Sequence, residues 1–433
     1  MTLAIEAELL AARRRAAAQA AQEAALPSGR VVVTCDAPFG GGGLGRHLQE
    51  IVHALERRGS ASSYICGSAA VAFDGGAEPG SRADAVRPRS SWRTASLAPL
   101  ARVSPGWRLW RARVEFDAGC ARALPRAAHL IAFNRQALAQ FRAARGLGYE
   151  SVELMAGSPH VRRVARQHAR ALSQYPLERS FGTLILPRHL AEYARADRIH
   201  VACRYTWESF LEHGVPEQRL ALFPLTPDPR YRPAGMAAAA EECEVLRRAP
   251  AAEGSELARG EAEGDGCEVA RREAEGDGCE VARREAGGDR FDVLYIGSLS
   301  VAKGVPLLID AVRCLPFPDL RLLLVGNWKS RGMRRFVEAA RLADPRIVVC
   351  PGDPLGHLQR ARLCVHPSFE DGFAYAPAEA LACGVPVLVS EDTGMKELVD
   401  PGRTGMVLPT GDRDALSEAI VAAYRGEVLG ANG

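Results

Sequence analysis

Asp371 and Glu379 stand with seven residues between them in the segment 366–390, HPSFEDGFAYAPAEALACGVPVLVS. Asp371 falls in a loop at the end of the apolar run CVHPS, with Glu370 before it and Gly372 and Phe373 after it; Glu379 falls on a helical stretch that opens near Pro377. A loop acid at the end of a strand and a helix acid about two turns away can face one cleft. There, carboxylates accept hydrogen bonds from the hydroxyls of a sugar and a ribose. Free backbone amides at the start of the same helix can meet a phosphate. A second candidate is the run Gly40-Gly41-Gly42-Gly43-Leu44-Gly45, directly between a strand-like and a helix-like segment. Without Cβ atoms, Gly42 and Gly43 let backbone N–H groups approach a ligand, and the following helix turns its positive end towards an anion. No Lys-Ser/Thr pair follows, so this is not a nucleoside-triphosphate loop, and an acidic ribose partner about twenty residues on is missing. A tight strand-to-helix turn without a ligand is the competing reading of these glycines.

These residues need a scaffold that delivers strand ends and helix starts to one place. From residue 291 onwards, short apolar runs (FDVLYIGSL, LRLLLVG, RIVVC, CVHPS, VPVLVS) alternate with segments of helical period (VPLLIDAVRCL, MRRFVEAARLA). Continuous apolar strands alternating with amphipathic helices imply a parallel sheet covered on both faces, the doubly wound α/β arrangement. Ligands of such sheets lie outside the carboxyl ends of the strands. The first half repeats the theme in GRVVVTCDA, SSYICG, AAHLIAF, ESVELMA and RIHVAC. Two similar domains with a cleft between them is the expected architecture, and such a cleft suits a small-molecule site. The expected organisation is an N-terminal helix over 1–28, a first domain over 29–234, an insert over 235–290 and a second domain over 291–433.

Composition agrees with a globular chain. Of 433 residues, 47% are hydrophobic and 25% charged, and 55 basic against 52 acidic side chains leave a net charge of +3. A total so near neutral disfavours a nucleic-acid binder, which needs a strongly basic domain to displace counterions. The eleven cysteines are scattered without CxxC pairs or zinc-ligand spacing, so no metal site is expected and an oxidising compartment is disfavoured. The Ala-rich N-terminus, with Arg13, Arg14 and Arg15, lacks the apolar run of a signal peptide and reads as an exposed helix. No window of about 18 apolar residues could span a bilayer. A cytoplasmic location is expected. Within the insert the twelve residues EGDGCEVARREA occur twice in succession, over 263–274 and 275–286. That segment is too poor in apolar surface to offset its ordering entropy, and reads as a linker or a length-variable insertion. Residues 87–113 carry seven arginines, three tryptophans and no acid. This stretch is either a peripheral contact for anionic lipid headgroups or an anionic acceptor, or an ordinary surface with the indoles packed inwards.

The segment 366–390 resembles the retaining GT-B glycosyltransferases of family 4, the group 1 glycosyl transferases. In that family a serine, two variable positions, an acid and GFG are followed by a second Glu, with seven residues between the two acids, then an Ala-rich helix and a GxPV strand. The resemblance is close over residues 291–425 and looser over 30–233. It implies the GT-B fold, two Rossmann-like domains facing across a cleft. Glu379 would accept from the ribose of a nucleotide-sugar donor and Asp371 would hold the sugar, with Glu370 as a neighbouring substitute; the family usually has Glu where Asp371 stands. In GSLSVAKGVPLL, Lys303 and Gly304 match a diphosphate grip, but Ser298 occupies the place of an arginine. Gly394, in SEDTGMKEL, matches a loop whose backbone contacts phosphates, and Glu397 there is read as a tether or a helix cap. His160, in AGSPHVRRV, takes the place of a His that orients the donor sugar or shields the developing positive charge through its backbone carbonyl, without acting as a base.

The resemblance thus implies transfer of a sugar from a nucleoside diphosphate donor to a hydroxyl acceptor of unknown type, with retention, no cofactor and no metal. The glycine loop would face the acceptor. A non-catalytic nucleotide-sugar-binding or partner subunit on the same fold stays open, because of Ser298 and Asp371. An epimerase or phosphorylase is a more distant reading, the latter disfavoured by the lack of a pyridoxal-binding lysine motif.

Overall fold

The computed structural model describes residues 2–67, 70–71, 105–178, 185–233, 290–350 and 352–427. The repeat, nearly all of the insert and most of the Arg- and Trp-rich stretch lie outside these residues.

The first domain is built on a seven-stranded sheet in the order β3-β2-β1-β4-β5-β6-β7. Its strands are β1 (Val31–Cys35), β2 (Ser62–Cys66), β3 (Ala70–Val71), β4 (His129–Phe133), β5 (Ser151–Ala156), β6 (Arg198–Val201) and β7 (Leu220–Leu222). All neighbours are parallel except β2 and β3. β1 is buried along its whole length, as a strand covered on both faces must be, which is why VVVTC does not alternate. The covering helices are α1 (Thr2–Ala25), α2 (Gly42–Arg57), α3 (Pro105–Ala123), α4 (Leu138–Gly146), α5 (Val161–Gln174), α6 (Ile185–Arg195) and α7 (Arg204–Leu211). α2 buries Leu48, Ile51, Val52 and Leu55, the three-and-four spacing of one helical face.

The second domain has six parallel strands in the order β10-β9-β8-β11-β12-β13. They are β8 (Phe291–Ile296), β9 (Leu320–Val325), β10 (Ile347–Cys350), β11 (Leu363–His366), β12 (Val387–Ser390) and β13 (Gly405–Leu408). Helices α8 (Val305–Arg313), α9 (Arg331–Ala343), α10 (Leu355–Leu358), α11 (Tyr375–Ala382) and α12 (Arg413–Tyr424) cover it, with a 3-10 turn at Gly394–Leu398. Ser330 and Asp412 cap α9 and α12 through their side chains, at 3.0 Å and 2.9 Å to the third residue of each helix.

The α/β fold of two doubly wound domains facing across a cleft is therefore present. Strand order reverses between β1 and β4 in the first sheet and between β8 and β11 in the second. Three strands exceed the expected set: β3, β7 and β13, of two, three and four residues, too short for a periodic signal. The N-terminal helix is not freely exposed, contrary to the sequence reading. Gln22 is buried and donates to Glu50 at 2.8 Å and to the Pro224 carbonyl at 2.7 Å, while Ala25 and Leu26 join the core of the first domain.

Candidate active site

Both strand-order reversals open onto the same space, a cavity of about 840 Å³ between the domains. At a reversal the loops leaving adjacent strands diverge to opposite faces and leave a crevice at the carboxyl ends. β1 and β4 present the glycine loop and Arg135 to it; β8 and β11 present Ser298, Lys303 and the Glu370–Asp371 pair.

On the second-domain wall, Lys303 Nζ meets Asp371 Oδ2 at 2.6 Å and the Glu370 carbonyl at 3.1 Å. His366 Nε2 lies 3.2 Å from the same carboxylate oxygen. Burial alone would push the Asp371 pKa up, but Lys303 and His366 outweigh it and hold this carboxyl well below its usual range. Glu370 is in the opposite condition: it is 6% exposed, and burial raises its pKa to about 7 despite Lys303. Glu379 is buried on α11, and its Oε1 accepts from the Arg46 guanidinium of α2, which also lies 4.1 Å from the centre of the Tyr375 ring. Desolvation raises the Glu379 pKa and Arg46 opposes it. Gly372, Phe373 and Ser298 also line the cavity, as does the uncapped first turn of α11 from Ala374 to Ala376.

Across the cleft, Gly42 and Gly43 form the first turn of α2, and a Cβ on either would meet nothing within 4 Å. Both glycines line the cavity, and the anion-binding reading and the plain-turn reading both fit this geometry. Asp36 accepts from Arg113 at 3.3 Å and from Gln136 at 3.2 Å. His168 of α5 faces the same space, its pKa lowered to about 4 by burial and by the charges of Lys303, Arg135 and Lys329.

Three expected residues stand apart from this group. His160 is 3% exposed, caps α5, stacks on His213 at 4.2 Å and packs on Tyr193 and Phe210. Its imidazole belongs to the first-domain core, where burial lowers its pKa to about 3, and does not line the cavity. Gly304 takes φ 71° beside the Pro367 carbonyl, 1.9 Å from where a Cβ would fall; it lets Lys303 approach β11 and does not itself line the cavity. Gly394 spends its N–H on the carbonyls of Asp371 and Gly372, at 3.1 Å and 2.9 Å, so it steadies the acidic loop rather than facing the cavity. Glu397 caps α7 of the first domain, accepting from Arg204 N–H at 3.0 Å and Tyr205 N–H at 2.6 Å. Of the Arg- and Trp-rich stretch, Arg111 pairs with Glu115 at 2.8 Å along its own helix, and Arg113 turns to Asp36 in the cavity wall.

Sequence reasoning missed Arg46, Arg135, His168, Lys329 and His366, and noted Arg113 only as one of the arginines of 87–113. Arg46 directly follows the glycine run and sits one turn into α2, which was its signal. The others reach the cavity only through strand order and helix packing.

The likeness drawn from the motif holds. Residues 290–425 match the family model "Glycosyl transferases group 1". A D-inositol 3-phosphate glycosyltransferase of Paenarthrobacter aurescens is 30% identical, over 30% of this chain and 35% of its own. An O-antigen chain mannosyltransferase B of Escherichia coli is 34% identical, over 30% of this chain and 36% of its own. The matched segment thus spans about a third of the length of these curated relatives. Solved structures match almost end to end. A sucrose-phosphate synthase from Thermosynechococcus elongatus superposes with a TM-score of 0.61 at 18% identity, over 94% of this chain and 93% of that one. Anabaena HepE in complex with UDP-glucose superposes at 0.54 with 14% identity, over 92% and 90%. At these identities the structures speak for the fold, which is GT-B. No helix among the described residues is long and apolar enough to cross a membrane.

Proposed function

We propose that the protein is a retaining glycosyltransferase that moves a sugar from a nucleoside diphosphate donor to a hydroxyl of an acceptor. The observation that carries this reading is the convergence of Lys303, Asp371 and Glu379 on one wall of the cleft, opposite the open first turn of α2. The relatives lend it a direction: HepE was solved with UDP-glucose, and the curated relatives are named as transferases of mannose or onto inositol phosphate.

In this reading Glu379 receives the ribose through Oε2, since Oε1 is held by Arg46. Asp371 receives sugar hydroxyls, kept ionised by Lys303 and His366. The bond from the anomeric carbon to the diphosphate oxygen breaks, and the diphosphate's growing charge is met by Lys303 and by the open first turn of α11. The acceptor oxygen attacks from the face the diphosphate leaves and its proton passes to a diphosphate oxygen. No cofactor or metal ion is called for. The cysteines are scattered singly along the sequence, which suits a reducing compartment and hence the cytoplasm.

A thermal-shift screen across uridine, guanosine, adenosine and thymidine diphosphates tests the reading. One of them is expected to stabilise the chain, and Glu379→Ala and Lys303→Ala are each expected to abolish the shift. Full stabilisation in both variants would place the nucleotide elsewhere. Binding without turnover of any nucleotide-sugar would leave a non-catalytic subunit as the better description.

A further inference from the structure

Arg46 and Glu50 lie four residues apart on α2, and Tyr375 and Glu379 lie four apart on α11, so each pair shares one face of its helix. The two faces meet across the cleft. Arg46 donates to Glu379 Oε1 and its guanidinium lies 4.1 Å from the centre of the Tyr375 ring, while the Tyr375 hydroxyl donates to Glu50 at 2.7 Å. Two helices of different domains are thus held in register at two points, 46 against 379 and 50 against 375.

The first-domain half of this lock is itself anchored. Glu50 Oε2 accepts from the Thr226 N–H and hydroxyl, each at 3.0 Å, and from Gln22 at 2.8 Å. These bonds fasten α2 to the N-terminal helix and to the chain leaving the first domain. Arg46 follows Gly45, where a Cβ would fall 1.9 Å from the Pro38 carbonyl oxygen. The glycine lets the first turn of α2 settle against the preceding loop, which fixes where Arg46 leaves the helix. On the other side of the cleft Glu379 is 1% exposed, and Arg46 is the cation it pairs with among the described residues. Burial favours the protonated carboxyl, and Arg46 opposes this. A charge-assisted hydrogen bond to one oxygen also fixes the rotation of the group. With Oε1 held, Oε2 is the oxygen left for a ligand in the cavity that both residues line.

We infer that Arg46 is a positioning residue for ribose recognition: by holding Glu379 Oε1 from across the cleft, it presents Oε2 to the ribose hydroxyls. The inference rests on the transferase reading, which assigns Glu379 to the ribose. It adds that the first domain sets the selectivity of a nucleotide site carried by the second, with the Glu50–Tyr375 contact keeping the two helices in register.

The test titrates the full chain calorimetrically with the nucleoside diphosphate that stabilises it and with the 2′,3′-dideoxy form of the same nucleotide. The parent is expected to prefer the hydroxylated form by about tenfold or more, the effect of a hydrogen bond to a charged group. Glu379→Ala should abolish this preference. Arg46→Met should reduce it to within about twofold while leaving affinity for the dideoxy form within about twofold of the parent, and Arg46→Lys, which keeps a cation at Oε1, should restore part of it. Three outcomes overturn the inference and leave Glu379 at the ribose. Arg46→Met may keep the full preference, weaken both nucleotides alike as a structural residue would, or tighten the hydroxylated form, which would make Arg46 a competitor of the ribose. A preference that survives Glu379→Ala, or a chain that binds no nucleoside diphosphate, would instead defeat the transferase reading of Glu379, and the inference with it.

Discussion

Glu370 and Asp371 are adjacent carboxyls in opposite electrostatic conditions, and Lys303 explains the difference. Its ammonium contacts the Asp371 carboxylate but only the backbone carbonyl of Glu370. With a pKa of about 7, against 4.5 for a free glutamate, Glu370 holds a proton in the folded state that the unfolded chain has lost. Between those two values the native state binds more protons, so stability falls as pH rises, and below 4.5 the effect vanishes. Glu370→Gln should remove that part of the slope, roughly 1–3 kcal/mol between pH 5 and pH 8. Urea denaturation across this range checks it, and a variant with the slope of the parent would show Glu370 to be ionised throughout. Asp371 acts with the other sign: its depressed pKa contributes stability at neutral pH that is lost only in strong acid.

Helix starts and strand ends place these groups, and the contacts that align them are mostly backbone. The 3-10 turn at Gly394–Leu398 holds the acidic loop through the Gly394 N–H and holds α7 through the Glu397 carboxylate, so one short element ties both domains at the cleft. A Cβ at 394 would fall 2.0 Å from the Gly372 carbonyl oxygen and 2.3 Å from Cys203 Sγ. Both obstacles are part of packed structure, so the loop itself must shift. Gly394→Ala is expected to cost about 2 kcal/mol or more. It should also weaken nucleoside diphosphate binding, because Asp371 moves with the loop. A variant as stable as the parent would show that the loop can relax freely.

Across the whole molecule the two domains meet through polar contacts around the cleft as well as through apolar packing. Arg46–Glu379, the Tyr375 hydroxyl to Glu50 at 2.7 Å, and the Tyr175 hydroxyl to Asp310 at 3.0 Å join residues far apart in sequence. Ala171 of α5 is part of the second domain's core cluster, so that helix belongs to both domains in packing terms. The twelve-residue repeat adds no comparable apolar surface, and lengthening a connection costs only slowly growing closure entropy. Deleting residues 275–286 is expected to leave the melting temperature within about 2 °C of the parent and nucleotide binding unchanged. A large drop in either would show that the repeat takes part in the fold.

The sequence by itself determined the doubly wound fold, because strands buried on both faces must be continuously apolar and their helices amphipathic, and FDVLYI, LRLLLV and VVVTC carry that pattern openly. It also singled out Asp371 and Glu379, whose spacing on one loop and one helix is local, while Lys303, on the separate turn after β8, is read through the family resemblance. Tertiary structure decided what no local pattern encodes. His160 follows a strand end as a site residue would, yet its ring fits an aromatic pocket of the core, and burial of a neutral imidazole there is compatible with the packing. Arg46, Arg135 and Lys329 are ordinary surface types in the sequence. They come to line one cleft only when the strand order of each sheet reverses at its centre and the two domains close with those reversals face to face.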